Sequence, residues 1–194
     1  MPDQPGGPDE PPNPWITLSS EPAFTTPWLV IRQDRVRTHA GDEITYSYLD
    51  HQGAVTVVPV TGNGNIVLLR QYRYTVRAWG WETPAGSIDG DEGGMAAATR
   101  ELAEEIGGTA TALRHIAAFN VSNGISNQRM AVYLATGVTL GETNHEDTEL
   151  MRVVSLPRAE VLRMAHAGEI RDGISALALL LAEPYLPNLP TAHD

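Results

Sequence analysis

The chain reads as an α+β protein in which helices cover one mixed β-sheet, preceded by a β-rich extension. Two observations carry this. Seven segments, at 29–38, 44–49, 54–60, 66–72, 113–119, 129–135 and 149–156, have the β-branched, aromatic or alternating character of strands. Three others, 94–106, 157–167 and 173–183, have helical spacing, and they do not alternate with strands in βαβ order. Gly41-Asp42 and Gly62-Asn63-Gly64 mark hairpin turns between strands. Gly107 and Gly168 stand where helix C-terminal glycines belong, and Asp172 is placed to cap the third helix.

The ends are different in kind. The first 14 residues hold six prolines and two glycines and are expected to form a disordered tail. Pro184, Pro187 and Pro190 suggest an extended C-terminal tail over 185–194. Between them, residues 15–50 form the extension and 51–184 the main domain. The extension is too small for a core of its own yet carries Trp15 and Trp28, so pairing with a second copy is expected.

Composition excludes several functions. The net charge is −11, from 24 acidic and 13 basic residues, and no arginine-rich stripe would draw nucleic acid to such a surface. There is no cysteine, hence no disulfide, thiolate metal site or cysteine nucleophile. No apolar run approaches membrane-spanning length, and the first 14 residues lack a signal-peptide layout. The expectation is a soluble cytoplasmic protein with no membrane partner. His115, His145 and His166 are isolated and lack ligand spacing.

The chemistry is concentrated between Gly86 and Gly108. Gly86 is followed after five residues by Glu92, and after seven more by Arg100-Glu101-Leu102-Ala103-Glu104-Glu105-Ile106-Gly107-Gly108. On a helix, Glu101, Glu104 and Glu105 fall within about 100° of one another. Met95, Leu102 and Ile106 form a different face suited to packing on the sheet, and Ala97 and Ala98 flank the acids without crowding them. Three like charges on one face destabilise a helix unless a hard cation neutralises them, and magnesium is the default beside phosphates. Arg100, four residues before Glu104, can orient that carboxylate. An acidic run alone reads sooner as a solvated helix face. Seven fixed letters at fixed spacing do not, since chance yields them in roughly one chain per million of this size.

This segment resembles the Nudix box: Gly, five residues, Glu, seven residues, Arg-Glu-aliphatic-x-Glu-Glu-x-Gly-aliphatic. The last position departs, with Gly108 in place of an aliphatic residue. The resemblance extends over roughly 28–182 to the ADP-ribose pyrophosphatase branch. It is carried there by Val67-Leu-Leu-Arg-Gln-Tyr-Arg73, Trp81-Glu82-Thr-Pro-Ala85-Gly86, Gly168-Glu-Ile-Arg-Asp172 and the N-terminal extension. GDP-mannose hydrolases of the superfamily share most of these features.

The resemblance implies a Nudix fold and magnesium-dependent hydrolysis of a nucleoside diphosphate linked to another moiety. ADP-ribose cut to AMP and ribose 5-phosphate is the favoured case, with manganese able to replace magnesium. By the same resemblance Glu101, Glu105 and the Ala85 carbonyl bind metal, Glu104 supplements them, and Arg73 and Glu82 meet the substrate. Trp28 falls where an aromatic of a partner subunit stacks on the base, although a core tryptophan is the other reading. The general base is placed in the acidic loop 142–149, at Glu149 or, second, Asp147; a plain solvated loop is the alternative. Asn123 and Asn127 depart from residues frequent in relatives, which bears on substrate choice. A non-catalytic ADP-ribose sensor of the same fold is a competing reading, and the intact box carboxylates argue against it.

Overall fold

The computed structural model describes residues 14–144 and 150–186. Asp147, Glu149, most of the proline-rich N-terminal tail and residues 187–194 lie outside them. The chain divides into two compact units, a smaller one from the residues up to His51 with Ser122–Gln128, and a larger one of Gln52–Val121 and the residues from Arg129 onward.

The smaller unit is a three-stranded antiparallel sheet of β1 (Ile16–Thr25), β2 (Val30–Arg37) and β3 (Glu43–Asp50), in that order. β1 has no counterpart among the expected strands. All its residues are exposed, so no inside–outside alternation marks it in the sequence. Val36 is the one buried residue of these three strands. The Ser122–Gln128 loop is tied to the end of β3. The Leu49 N–H donates to the Ile125 carbonyl at 2.8 Å, and the Asn127 side chain accepts from the His51 N–H at 2.8 Å and donates to Asp50 at 2.6 Å. Asn127 thus serves to join loop and strand within this unit. Trp28 is 87% exposed, which removes its reading as a core residue.

In the larger unit, β4 (Ala54–Thr61) and β5 (Asn65–Arg73) start from the Gly62–Gly64 turn and then diverge. The next segment fills the gap, as β6 (Ala78–Glu82) pairs with β5 and β7 (Ala85–Ser87) with β4. After helix α1 (Gly94–Ile106) come β8 (Ala112–Asn120), β9 (Arg129–Val138) and β10 (Met151–Pro157). Helices α2 (Arg158–His166) and α3 (Gly173–Ala182) close the chain. The sheet order is β10-β5-β4-β9-β8, with β4 and β9 parallel and the other pairs antiparallel, which is the mixed sheet expected. β6 and β7 were foreseen only as a chain segment approaching the box; they are short, and β7 carries little side chain. The tail was expected to be extended from 185, but Tyr185 ends a 3₁₀ turn, Glu183–Tyr185, and stacks under the Arg114 guanidinium at 4.6 Å.

Period-two alternation along β4 and β5 sends residues to two cores. Val58, Val60, Ile66 and Leu68 meet α2 and α3. Val55, Val57, Val67 and Leu69 meet α1 through Ala97, Ala98, Leu102 and Ile106. Here one expectation fails. Ala97 and Ala98 are fully buried against the sheet, while Met95 is 48% exposed. The helix is rotated further toward its acids than apolar spacing suggests, because small alanines allow close approach to the sheet. Leu102 and Ile106, both buried, each contribute about 1.5–3 kcal/mol.

Candidate active site

That rotation places acids inside the contact face of α1. Glu101 and Glu105 are buried at 7% exposure each, and Glu104 lies at the margin. They line one cleft of about 360 Å³ together with Ala85, Gly86, Ser87, Asp89, Arg100 and Asn144.

Gly86 explains how Glu101 fits there. A Cβ at Gly86 would lie only 1.8 Å from Glu101 Oε1, so the carboxylate occupies the space a side chain would take. Gly107 ends the helix at φ 61°, the left-handed conformation expected of it, and a Cβ there would meet the backbone of Gly141 and Glu142 at 2.5 Å. Gly108 does not disturb the exit: its N–H donates to the Leu102 carbonyl at 2.9 Å, closing the last turn.

Arg100 holds more than Glu104. Its Nη1 donates to Glu101 Oε1 at 2.7 Å and to Glu104 Oε2 at 3.0 Å. Its Nη2 donates to Glu92 Oε1 at 2.8 Å and to the Ser87 carbonyl at 2.9 Å. Glu92 also accepts from the Asp89 N–H at 2.9 Å. The role of Glu92 was missed, since eight residues and a turn separate it from Arg100 and only its fixed place in the box marked it. The hydrogen bond to Glu92 is the largest cause holding the Arg100 guanidinium above the ordinary arginine range, and Arg100 in turn draws the Glu92 carboxyl down. Burial pushes the Glu101 carboxyl up, against the opposing pull of Arg100. Glu105 turns the other way and accepts from the Ala85 N–H at 2.9 Å.

Arg73 and Glu82 are brought together on the α1 side of β5 and β6. Arg73 Nη2 donates to Glu82 Oε2 at 2.6 Å and Nε to Oε1 at 3.0 Å, while Glu82 is nearly buried. Glu82 is the main cause raising the Arg73 guanidinium, with weaker contributions from Glu105 and Asp172. Arg73 is therefore neither a free surface arginine nor spent on packing, since half of it stays exposed. Asn144, missed in the sequence, lines the cleft, and its N–H donates to the Glu104 carbonyl at 2.9 Å.

Among the described residues no three acidic or histidine side chains stand converged at ligand spacing. The donors lining the cleft still suit a hard cation, since they are carboxylate and backbone oxygens.

Two family models match the chain: the NUDIX domain over residues 50–177, and the nucleoside diphosphate sugar hydrolase N-terminal domain over residues 15–49. The protein belongs to the Nudix hydrolases, pyrophosphatases that use divalent metal ions. It is similar to the ADP-ribose pyrophosphatase of Mycobacterium tuberculosis, 36% identical over 168 residues, covering 84% of this chain and 81% of that protein. It is likewise similar to the ADP-ribose pyrophosphatase of Bacillus subtilis, 29% identical over 165 residues, covering 84% and 89%. A crystal structure of an ADP compounds hydrolase shares the fold with a TM-score of 0.77 at 20% identity, over 89% of this chain and 94% of that one.

Proposed function

We propose that the protein hydrolyses ADP-ribose to AMP and ribose 5-phosphate with magnesium, manganese being able to replace it. The observation that carries this reading is the cleft itself, lined by Glu101 and Glu104 held on Arg100 and by Glu105 held on the Ala85 backbone. The names borne by the Mycobacterium tuberculosis and Bacillus subtilis relatives point to ADP-ribose.

In this reading Glu101, Glu105 and the Ala85 carbonyl hold the metal, with Glu104 beside them. When bound, the metal polarises phosphoryl oxygens and lowers the pKa of its water. Arg100 keeps Glu101 and Glu104 aimed into the cleft, and its charge opposes the upward push of burial on the Glu101 carboxyl. Arg73 presents its exposed guanidinium edge to a phosphate or ribose, while Glu82 holds it in orientation. The water loses its proton to Glu149, with Asp147 as second choice; both lie outside the described residues. Metal-bound carboxylates are poor bases, which favours a residue outside the box.

Assembly belongs to the same reading. Trp15, Ile16, Leu18, Phe24, Trp28 and Ile44 of the smaller unit are exposed, and pairing with a second copy would cover apolar area of this kind. We place the protein in the cytoplasm as a homodimer in which the partner's Trp28 stacks on the base. No helix among the described residues is long and apolar enough to cross a membrane. A monomeric mass by light scattering at micromolar concentration contradicts the dimer.

A second reading is favoured by the match of residues 15–49 to a nucleoside diphosphate sugar hydrolase domain: another nucleotide sugar, such as GDP-mannose. A hydrolysis screen of ADP-ribose, GDP-mannose, NADH and diadenosine polyphosphates with magnesium tests both. Turnover of ADP-ribose ahead of the others supports the first reading, and preference for GDP-mannose overturns it. No turnover at all points back to a binding sensor.

A further inference from the structure

Between β6 and β7 the chain changes partner. Glu82 still pairs with Leu69 of β5, and Ala85 already pairs with Thr56 of β4. Thr83 and Pro84 cross the gap between these ladders, and Thr83 is buried. Backbone groups in such a crossing need partners, because a buried donor or acceptor left without one is destabilising. Proline brings no N–H, and its carbonyl accepts from the Val57 N–H at 2.8 Å. The Thr83 N–H donates to Ser175 Oγ of α3 at 2.9 Å.

That bond is one link in a row of buried hydroxyls. Thr56 Oγ1 and Thr83 Oγ1 are 2.7 Å apart, Thr83 Oγ1 donates to Ser175 Oγ at 3.2 Å, and Ser175 Oγ donates to Asp172 Oδ2 at 2.6 Å. The direction is set at one end. Asp172 is an acceptor, so the single Ser175 proton goes to it, and Ser175 Oγ is left to receive from Thr83. With the Thr83 proton toward Ser175, Thr56 donates to Thr83. Thr56, Thr83 and Ser175 are each at most 2% exposed, so every link replaces water that cannot reach them. Asp172 also caps α3 through the Ser175 N–H at 2.8 Å, so the row is anchored on a fixed helix end.

The row runs on the α3 side of the sheet, and the cleft opens on the α1 side. The two meet in the backbone of residues 82–85. One end of that four-residue stretch carries Glu82, which holds Arg73; the other carries the Ala85 N–H, which holds Glu105. We propose that Ser175, acting through Thr83 and Thr56, is a positioning residue that fixes the spacing between the Arg73–Glu82 pair and the Ala85–Glu105 edge. This rests on the reading of the cleft as a metal-assisted diphosphate site. The Gly168–Asp172 segment then has a purpose as well, since it delivers the carboxylate on which the row ends.

The test titrates Mn²⁺ alone into the full chain and reads free Mn²⁺ by electron paramagnetic resonance, with melting temperature recorded alongside. Ser175→Ala removes the hydroxyl but keeps the cap, which uses the backbone N–H. Thr83→Val removes one link and keeps the Thr83 N–H bond to Ser175, so it carries the comparison if Ser175→Ala does not fold. Thr83→Ser retains the hydroxyl. Ser175→Ala and Thr83→Val are expected to weaken Mn²⁺ binding by about 10-fold, as supporting groups behind metal ligands do, with Thr83→Ser close to wild type. Variants that melt earlier yet bind Mn²⁺ like wild type overturn the proposal and leave the row a packing feature. Wild-type ADP-ribose turnover is measured in parallel. A wild type that binds Mn²⁺ but cleaves no ADP-ribose overturns the substrate reading, and the Mn²⁺ comparison still decides the positioning role.

Discussion

Helices α1 and α2 each carry an arginine tied to several carboxylates, and the two networks differ in what surrounds them. Arg163 on α2 bonds Glu160 and Glu169 with every partner about half exposed. Arg100 on α1 bonds Glu92, Glu101 and Glu104, with Glu101 nearly buried and a cleft in front. In both, hydrogen-bonded carboxylates raise the guanidinium. Ion pairing therefore says little about role. Burial of the acid does, because a carboxylate held away from water must be matched by a fixed cation, a ligand or a proton.

The largest expected effect is in α1. Glu105→Gln should reduce hydrolysis by roughly 100-fold or more, since metal assistance is worth several kcal/mol, while circular dichroism and melting stay close to wild type. Near-normal turnover with magnesium as the only metal would remove the functional side of the contrast. Glu149→Gln is expected to lower kcat by about 100-fold with metal affinity kept, as for loss of a general base. If it is silent and Asp147→Asn severe, the base is Asp147.

Arg100→Ala leaves the carboxylates in place without their holder. Activity or metal affinity should fall by about 10–100-fold, the range for groups that orient ligands. A loss confined to stability would make Arg100 the equivalent of Arg163. Gly86→Ala sharpens the same point from the strand side. The new methyl must displace the end of a flexible glutamate rather than backbone, so kcat should drop with little change in melting temperature.

The smallest effect belongs to Arg163→Ala, where turnover should be unchanged. Arg163 holds the Glu160 and Glu169 carboxyls below their ordinary range, so its contribution is present above the unfolded-state pKa values. It is lost as pH falls through the folded ones. The variant should melt slightly earlier than wild type at neutral pH, and the difference should vanish in acid and shrink in high salt. A difference that grows in acid contradicts this.

Helix α1 shows what the sequence could tell. Its ends at Gly94 and Ile106 and its three acids were legible from spacing, whereas its rotation was not. Met95 looked like a core residue and Ala97 and Ala98 like bystanders, because hydrophobicity scales weigh size and the sheet here demands smallness. β1 escaped notice because all its residues are exposed within this chain. Arg73 and Glu82 were named separately from resemblance; only the antiparallel pairing of β5 with β6 shows that they bond each other. Glu92 and Ser175 work through partners distant in sequence, and no local pattern encodes that.

The parallel pairing of β4 with β9 has a consequence for how the protein comes into being. Residues 54–61 must wait for residues 130–138, so the box helix and four strands are made before the centre of the sheet can close. Closing so long a loop is entropically costly, and such topologies fold slowly. Until β9 arrives, α1 lacks Tyr133, Ala135 and Val138 to pack against. A chain still emerging from the ribosome thus carries every box carboxylate before it has a formed cleft, since β9 and the cleft-lining Asn144 come later.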